Sequence, residues 1–402
     1  MQGSPLDGGW VRIERGRITA VGRRPPPGGA VDLGDAVILP GLVNAHTHLE
    51  FSNCETPLDP SGGLPAWIER VVQLRRARPL VPPGNAPEPA DAIRQGLAES
   101  AAAGVTTIGE IATLAPAAAY AAAAARGPRL RLFREGLGLS AAAIRQTTSR
   151  LAAEWGTGRG PALLGGLSPH APYSVAAPLG RWMIDAARRQ RLPVAMHIAE
   201  SPDETPFLAS GIGRFRHLLE SLGAWPADLP PQLLPAADWI TVLARAPRGI
   251  VVHGTFLPDD ALAMARLARH RDRLAVAICP RTTLALSGRL PPLAAFRDAG
   301  VRVAIGTDSR ASNPDLSVLN ECRTLVDGGL ASPAEALRMA TRHGAWALML
   351  EHRCGLLAPG RPADLTILRP TSPHSDPFSA VLDPTMQVIA TLRSGRVIHG
   401  EV

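Results

Sequence analysis

The residues Ile38-Leu-Pro-Gly-Leu-Val-Asn-Ala-His-Thr-His-Leu-Glu-Phe-Ser52 decide the fold, because an apolar run ends there in two histidines. The run extends from Val37 to Val43 and is typical of a buried strand. Side chains two positions apart on a strand point to the same face, so His46 and His48 leave the strand side by side. Two imidazoles in this arrangement can bind one metal ion. Two histidines that simply end a strand are the plainer alternative.

Strand-like apolar runs recur along the chain, with helical patterns between them. The runs cover residues 42–45, 105–111, 130–133, 163–167, 193–196, 250–252, 274–278 and 301–305. Eight strand–helix units predict a parallel sheet, and eight parallel strands close into a (β/α)8 TIM barrel. The long segments 55–89 and 202–247 follow the first and fifth strands, on the rim where such barrels bind substrate. We expect both segments to form pocket walls or lids.

The two chain ends carry strand patterns that lie outside the eight repeats. Residues 10–22 alternate around a turn at Arg15-Gly-Arg17, which predicts a β-hairpin, and residues 360–368 and 388–398 are also turn-bounded strands. An isolated hairpin is marginally stable. We therefore expect a small β-sandwich domain from residues 1–40 and 355–402, and a barrel domain from residues 41–354.

Composition gives no sign of a nucleic-acid or membrane partner. All 42 basic residues are arginine, scattered singly or in pairs, so the net charge of +7 does not indicate a nucleic-acid surface. The sequence shows no membrane-length apolar run and no signal-peptide pattern. It lacks a Cys-x-x-Cys pair, which argues against a disulfide framework or a thiolate zinc site and favours a reducing cytoplasm. The oligomeric state stays open, with a homodimer among the states allowed.

Polar side chains follow five of the eight predicted strands. They are His46 and His48 after the first strand, His170 after the fourth, His197 and Glu200 after the fifth, His253 after the sixth and Asp308 after the eighth. The strands of a barrel end at one rim, so these side chains converge there. One buried histidine is often a satisfied core residue, but burying this many polar groups without a ligand is costly.

Three histidines and a carboxylate suit one divalent ion, Zn²⁺ or Fe²⁺. The predicted ligands are His46, His48, His197 and Asp308. A water in the open position would have its pKa lowered from about 16 toward about 7, and Asp308 could take its proton. His253 is either a further ligand or a hydrogen-bond partner of that water. Glu200 can carry a proton to the reacting ring nitrogen and the leaving group, although an exposed loop carboxylate is the alternative.

These motifs together resemble the amidohydrolase superfamily. The matching segments are residues 40–48, His197-Ile-Ala-Glu200, His253, Gly306-Thr-Asp308 and Pro359-Gly-Arg-Pro-Ala-Asp-Leu365. The chain is similar to the mononuclear branch of deaminases and chlorohydrolases, which implies a metal-dependent hydrolase with the same four ligands, Glu200 as proton shuttle and His253 orienting the water. Two-metal relatives bridge their ions with a carboxylated lysine. Because this chain has no lysine, we expect one metal ion, unless a carboxylate substitutes.

Three further segments are similar to aminodeoxyfutalosine deaminases, which deaminate an adenine-like nucleoside in menaquinone biosynthesis. They are His48-Leu-Glu-Phe-Ser52, Leu64-Pro-Ala-Trp67-Ile68 and residues 207–215. The resemblance implies substrate contacts at His170 and Tyr173.

The acidic ribose contact of these deaminases aligns with Arg76, and Glu50 is the candidate to replace it. Arg70, Arg75 and Arg76 could pair with a substrate carboxylate or lie solvated on a helix. We expect a small heterocyclic substrate. The alternatives are a hydrolase of another ring C–N or C–Cl bond, of the guanine deaminase, cytosine deaminase or triazine hydrolase type, and a non-catalytic barrel scaffold.

Overall fold

The computed structural model describes residues 5–23, 28–77, 89–154, 163–227, 230–370 and 376–402. Its strands fall into one sheet of eight, one of four and one of two. In chain order they are β1 (Gly9–Glu14), β2 (Arg17–Arg23), β3 (Val37–Pro40), β4 (Leu42–Thr47), β5 (Val105–Ala112), β6 (Arg129–Gly136), β7 (Leu163–Pro169), β8 (Val194–Ile198), β9 (Gly249–His253), β10 (Leu274–Ile278), β11 (Arg302–Ile305), β12 (Leu365–Arg369), β13 (Gln387–Arg393) and β14 (Arg396–Gly400).

The eight-stranded sheet is a parallel barrel. Its strands pair in chain order from β4 to β11, and a bridge between Thr47 and Asp308 joins the last strand to the first. The backbone N–H groups of Thr307 and Asp308 donate to the carbonyl of His46 at 3.0 and 3.1 Å across this seam. The predicted (β/α)8 TIM barrel is confirmed. Six of the eight predicted runs lie within its strands, and the runs 193–196 and 301–305 begin one residue before β8 and β11.

Helices alternate with the barrel strands and bury their apolar faces against them. They are α1 (Gly63–Ala77), α2 (Pro89–Ala102), α3 (Ala117–Ala124), α4 (Ala141–Ala153), α5 (Ala177–Gln190), α6 (Glu204–Ser210), α7 (Arg214–Ser221), α8 (Ala236–Leu243), α9 (Ala261–Arg269), α10 (Pro280–Ser287), α11 (Leu293–Asp298), α12 (Val318–Asp327), α13 (Pro333–Arg338), α14 (Gly344–Ala347) and α15 (Pro377–Val381). Short 3₁₀ turns cover Leu49–Phe51 and Leu257–Asp259, and a π-helical turn covers Met339–His343. Gly104 separates α2 from β5 with φ of 86°, a left-handed conformation that glycine adopts without strain.

The barrel interior is filled mainly by small side chains around Phe133. They come from several strands and include Ala45, Ala195, Ala275, Ala277 and Ala304. Leu348 and Leu350, which follow α14, pack into the same cluster. This apolar layer lies below the carboxyl ends of the strands, so side chains beyond it on the inward face are free to be polar.

The remaining sheets form the small domain predicted from the chain ends. Strands β12, β13, β14 and β3 make the four-stranded antiparallel sheet, and the β1–β2 hairpin packs over it through Ile18. The backbone of Ile18 also bonds to Arg361 and Gly360 at 2.8 Å each. The opening sequence stretch thus crosses between the two units, because β3 joins the small domain and β4 starts the barrel. The exact domain boundaries stay a prediction.

The two predicted insertions pack together beside the barrel rim. Trp67 on α1 shares an apolar cluster with Phe207 on α6 and Phe215 on α7, and its indole N–H donates to the carbonyl of Ala311 at 3.3 Å. Residues 78–88 of the first insertion and 228–229 of the second lie outside the described residues. In the part of the chain that is described, no helix combines the length and the apolar character needed to cross a membrane.

Candidate active site

The predicted metal ligands converge at the carboxyl ends of strands β4, β8 and β11. One ring nitrogen from each of His46, His48 and His197 lies within 4.8 Å of the other two. The Oδ1 atom of Asp308 lies 3.6 Å from Nε2 of His46 and 3.6 Å from Nε2 of His48. The four side chains are almost completely buried, except for His48, whose side chain is 13% exposed.

The chemistry of this donor set fits a divalent ion. Both ring nitrogens of His46 are buried without a hydrogen-bond partner among the described residues, and 3.6 Å to Asp308 is too long for a hydrogen bond. Two ligands with bonds of about 2.0–2.1 Å to one tetrahedral ion lie roughly 3.3–3.5 Å apart. Nδ1 of His197 contacts the carbonyl of His170 at 2.9 Å, which leaves Nε2 for the ion. The donors suit Zn²⁺ or Fe²⁺.

Asp308 is held in a fixed orientation by its backbone and by a neighbouring hydroxyl. Its φ is 55°, a left-handed conformation that is costly for a residue with a side chain. The Ser312 hydroxyl donates to Oδ2 at 2.8 Å, so Oδ1 faces the histidines. Burial opposes ionisation of this carboxyl, but the imidazoles of His46, His48 and His253 hold its pKa well below its usual range. The carboxylate is therefore placed to bind a cation.

Glu200 and His253 lie together at the edge of this cluster. Oε1 of Glu200 is 3.4 Å from Nε2 of His253, and the His253 ring centroid is 5.6 Å from that of His46. His253 has φ of 64°, and its buried Nδ1 finds no partner in the described chain. Burial, together with the negative charges of Asp308 and Glu204, raises the pKa of Glu200 well above its ordinary value. This pair can exchange a proton with a molecule bound beside the four ligands.

Glu204 supports this pair and was not found from the sequence. Its Oε1 accepts a hydrogen bond from the backbone N–H of Ala199 at 2.6 Å, and Ala199 has φ of 55°. The carboxyl therefore holds the strained turn that carries Glu200. In the sequence, Glu204 looks like an ordinary acidic residue in the first turn of a helix, a pattern with no functional signal of its own.

His170 and Tyr173 border the cluster on the other side of His197. The His170 ring centroid lies 5.1 Å from that of His197, and Nδ1 of His170 contacts the Ser174 hydroxyl at 2.5 Å. Burial, with the charges of Arg75 and His46, lowers the pKa of His170 to about 4. The Tyr173 ring lies 5.6 Å from His170 and stacks on Phe215. Both residues border the predicted site, and their contact with a substrate stays a prediction.

Glu50 lies near the rim, but groups of the protein already form most of its hydrogen bonds. Its Oε1 accepts hydrogen bonds from the backbone N–H groups of residues 113–115 and from the Tyr120 hydroxyl, at 3.0–3.1 Å. Glu50 therefore anchors the loop after β5, a role that no sequence pattern indicates.

The arginines of α1 lie in different surroundings. Arg75 is 3.4 Å from Oε2 of Glu50 and its guanidinium lies over the Phe51 ring. Arg76 is exposed, and no hydrogen bond or ion pair joins it to a described site residue. Arg70 bonds to Asp59 and Ser61 within the first insertion. The structure thus brings Arg75 to the site, whereas Arg76, the predicted contact, lies outside it.

Comparison with known proteins identifies the family. The family model described as "Amidohydrolase family" matches residues 37–398. The chain belongs to the amidohydrolase family. An aminodeoxyfutalosine deaminase of Deinococcus radiodurans is 32% identical to it over 371 residues, covering 86% of this chain and 82% of the relative. A 5-methylthioadenosine/S-adenosylhomocysteine deaminase of Moorella thermoacetica is 30% identical over 403 residues, covering 94% and 85%.

A solved structure of a deaminase also matches the chain over most of its length. The crystal structure of an adenosine deaminase from Xanthomonas campestris, with bound zinc, superposes with a TM-score of 0.74 at 26% identity and covers 98% of this chain and 88% of its own. Because the chain belongs to this family and matches these deaminases over most of its length, it is a hydrolase that acts on carbon–nitrogen bonds.

Proposed function

We propose that this amidohydrolase is a metal-dependent deaminase that replaces the amino group on the ring of an adenine-like nucleoside with oxygen. The observation that carries the proposal is the position of Glu200, 3.4 Å from His253 and at the edge of the four-donor cluster. Hydrolytic deamination needs a source of attacking oxygen and a group that moves a proton from that oxygen to the ring and then to the leaving amine. The four donors would hold the ion that activates a water molecule, and Glu200 lies beside them as the candidate proton carrier.

Each side chain has a distinct part in this reaction. His46, His48, His197 and Asp308 would hold the divalent ion, which when bound lowers the pKa of a water molecule toward about 7. Asp308 accepts a proton from the attacking water, and His253 orients that water by a hydrogen bond. Glu200 donates a proton to the ring nitrogen next to the attacked carbon. The Glu200 carboxylate then takes the proton of the hydroxyl group on the attacked carbon, and Asp308 passes the proton that it accepted to the exocyclic nitrogen. The C–N bond breaks, which releases ammonia and leaves a ring carbonyl.

The relatives support a purine nucleoside as the substrate class, with 6-amino-6-deoxyfutalosine as the specific candidate. Both relatives named above are deaminases of nucleosides by their names, and the match covers most of the chain in each case. If this is the substrate, the enzyme acts in menaquinone biosynthesis. The competing reactions are hydrolysis of a ring C–Cl bond and deamination of a free base such as guanine or cytosine.

A substrate panel tests the proposal. Purified enzyme with zinc or iron is assayed for ammonia release from aminodeoxyfutalosine, 5′-methylthioadenosine, S-adenosylhomocysteine, adenosine, guanine and cytosine, and for chloride release from a chlorotriazine. We expect the nucleosides to give the highest kcat/KM. Release of ammonia from none of the nucleosides, with activity on a free base or the triazine, would overturn the nucleoside assignment.

The variant Glu200→Gln tests the proton transfer. We expect kcat to fall about 10²- to 10⁴-fold, with one equivalent of metal retained. Glu220→Gln is the matched control, because the Glu220 side chain is 46% exposed on α7. Full activity of Glu200→Gln would refute its role, and an absence of bound metal from the purified wild type would favour the scaffold alternative.

We also propose that the protein works in a reducing compartment such as the cytoplasm. Cys279, Cys322 and Cys354 are buried thiols that form no disulfide in the described structure. Buried thiols need no oxidising environment for the fold to form. Cell fractionation followed by immunodetection tests this location.

A further inference from the structure

We propose that Glu135 is a substrate-binding residue, whose Oε1 accepts a hydrogen bond from a sugar hydroxyl of the nucleoside. This inference rests on the proposed function, because it concerns the part of the substrate that does not react. Sequence reasoning missed Glu135, which lies just beyond the predicted strand of residues 130–133.

Glu135 belongs to the same polar layer as the metal-ligand cluster. It is two residues beyond Phe133 on β6, and Phe133 points into the barrel, so strand alternation turns Glu135 inward as well. Glu135 is 3% exposed. One donor atom from each of Glu135, His170 and His197 lies within 4.8 Å of the other two. The Glu135 carboxyl therefore lies beside two histidines of the site, within reach of a molecule bound next to them.

The protein provides a donor for one carboxylate oxygen of Glu135 and leaves the other unpaired. The Thr113 hydroxyl donates to Oε2 at 2.7 Å and in turn accepts from Arg75 at 3.3 Å. Arginine can only donate and the threonine hydroxyl has one hydrogen, so this chain of hydrogen bonds has one direction. Oε1 is buried and has no hydrogen-bond partner in the described part of the protein. A buried acceptor without a donor is costly, so we infer that a bound molecule supplies one.

The neighbouring groups do not satisfy Oε1 themselves. Nδ1 of His170 is engaged by Ser174, and Nδ1 of His197 by the carbonyl of His170. A second metal ion would find the Glu135 carboxylate and one remaining nitrogen of His170, fewer than the three protein donors of a typical site. Arg75, one hydroxyl away, disfavours a cationic donor.

A neutral hydroxyl fits these limits. The ring of an adenine-like substrate would contact the reacting groups of the site. Its sugar carries hydroxyl groups that need hydrogen-bond acceptors. A carboxylate oxygen is an acceptor well suited to such hydroxyls. The geometry thus assigns Glu135 to selection of nucleosides over free bases and over sugars that lack the bonded hydroxyl.

The test pairs an enzyme variant with substrate analogues. Wild type, Glu135→Gln and the exposed control Glu69→Gln are assayed with adenosine, 2′-deoxyadenosine and 3′-deoxyadenosine. We expect wild type to lose about 10- to 100-fold in kcat/KM, mainly through KM, when the bonded hydroxyl is removed. Glu135→Gln should lose a similar factor with adenosine and show little further loss with that deoxynucleoside, the signature of a coupled pair. Glu69→Gln should behave as wild type.

Three results would overturn the proposal. They are equal activity of wild type on all three nucleosides, an equal loss in Glu135→Gln on all three, and loss of bound metal from Glu135→Gln. Calorimetric binding of the same nucleosides separates this inference from the proposed function. If no nucleoside is turned over, deamination fails as the function, but a hydroxyl-dependent affinity that disappears in Glu135→Gln still supports the contact, and its absence refutes it.

Discussion

Replacing Asp364 by asparagine should strongly destabilise the protein, because Asp364 forms a buried ion pair between the small domain and the barrel. Its Oδ2 lies 2.7 Å from Nη1 of Arg129, and the two side chains are 1% and 4% exposed. The other oxygen accepts from the backbone N–H of Ser394 at 2.8 Å. Asp364→Asn keeps the shape of the side chain but leaves the guanidinium of Arg129 as a buried charge without its counter-ion.

The size of the effect follows from this burial. Removing one partner of a buried ion pair costs about 3–5 kcal/mol, mainly because the remaining charge stays desolvated. Unfolding entropy of about 2.1 cal/mol/K per residue gives about 0.8 kcal/mol/K for 402 residues. If the whole chain unfolds together, the melting temperature should fall by about 4–6 °C.

Thermal unfolding followed by circular dichroism and by calorimetry measures this fall. The control Glu220→Gln breaks the exposed pair with Arg216 and should change stability by less than about 0.5 kcal/mol. Arg129→Met combined with Asp364→Asn should recover part of the loss, since no unpaired charge remains. A fall of less than 1 °C in Asp364→Asn would refute the reasoning. A separate early transition would show that the small domain unfolds on its own.

Three further outcomes are expected. Dialysis against a chelator should abolish turnover and lower the melting temperature, and added Zn²⁺ or Fe²⁺ should restore both; turnover that persists in verified metal-free protein would contradict the metal assignment. Glu204→Ala should lower kcat with metal content unchanged, because the turn that carries Glu200 loses its hydrogen bond; Glu204→Gln, which keeps an acceptor, should recover most of the rate. Burial raises the pKa of Glu321 from an ordinary 4.5 to about 8. The hydrogen bond and charge of Arg281 oppose this shift, and the negative charge of Asp315 adds to it. The folded state thus keeps a proton that the unfolded state releases, so this stability is complete below about pH 4.5 and is lost as the pH rises through about 8. Melting temperatures between pH 5 and 8 should therefore depend less on pH in Glu321→Gln, and an unchanged slope would contradict this.

The barrel could be predicted because its determinants are local. Runs such as residues 105–111 and 274–278 are apolar throughout, as strands buried on both faces must be, and they became β5 and β10. The placement of His46, His48, His197 and Asp308 followed from the same pattern, since each lies at or just beyond a strand end. The convergence of parallel strand ends at one rim then brings them together without further information.

The residues that could not be predicted act through contacts that only the folded chain creates. Glu50 looked free to bind substrate, but its Oε1 accepts from the backbone of residues 113–115, more than 60 positions away. Arg75 and Arg76 are equivalent in sequence, and the orientation of α1 alone turns Arg75 toward Glu50 and leaves Arg76 exposed. Glu135 lies two residues beyond Phe133, outside the apolar run that predicted this strand. The sequence therefore did not show that its side chain faces the barrel interior.

The strained backbone of the site explains why the rigid barrel matters to the chemistry. Ala199, His253 and Asp308 all adopt left-handed φ values, of 55°, 64° and 55°. Ala199 follows β8 directly, His253 is the last residue of β9, and Asp308 lies three residues beyond β11. Each such conformation costs about 1–3 kcal/mol and persists only when the surrounding structure fixes it. Here the parallel strands fix the residues before each turn, and hydrogen bonds such as that from Ala199 to Glu204 fix the residues after it. The strain lifts the reacting side chains out of strand alternation and aims them at a common point, which an unstrained strand end would not do. Ala199 tests this, because its side chain takes no part in the reaction. Ala199→Gly should relieve the strain and raise the melting temperature, but it should also loosen the turn that carries Glu200 and so lower kcat.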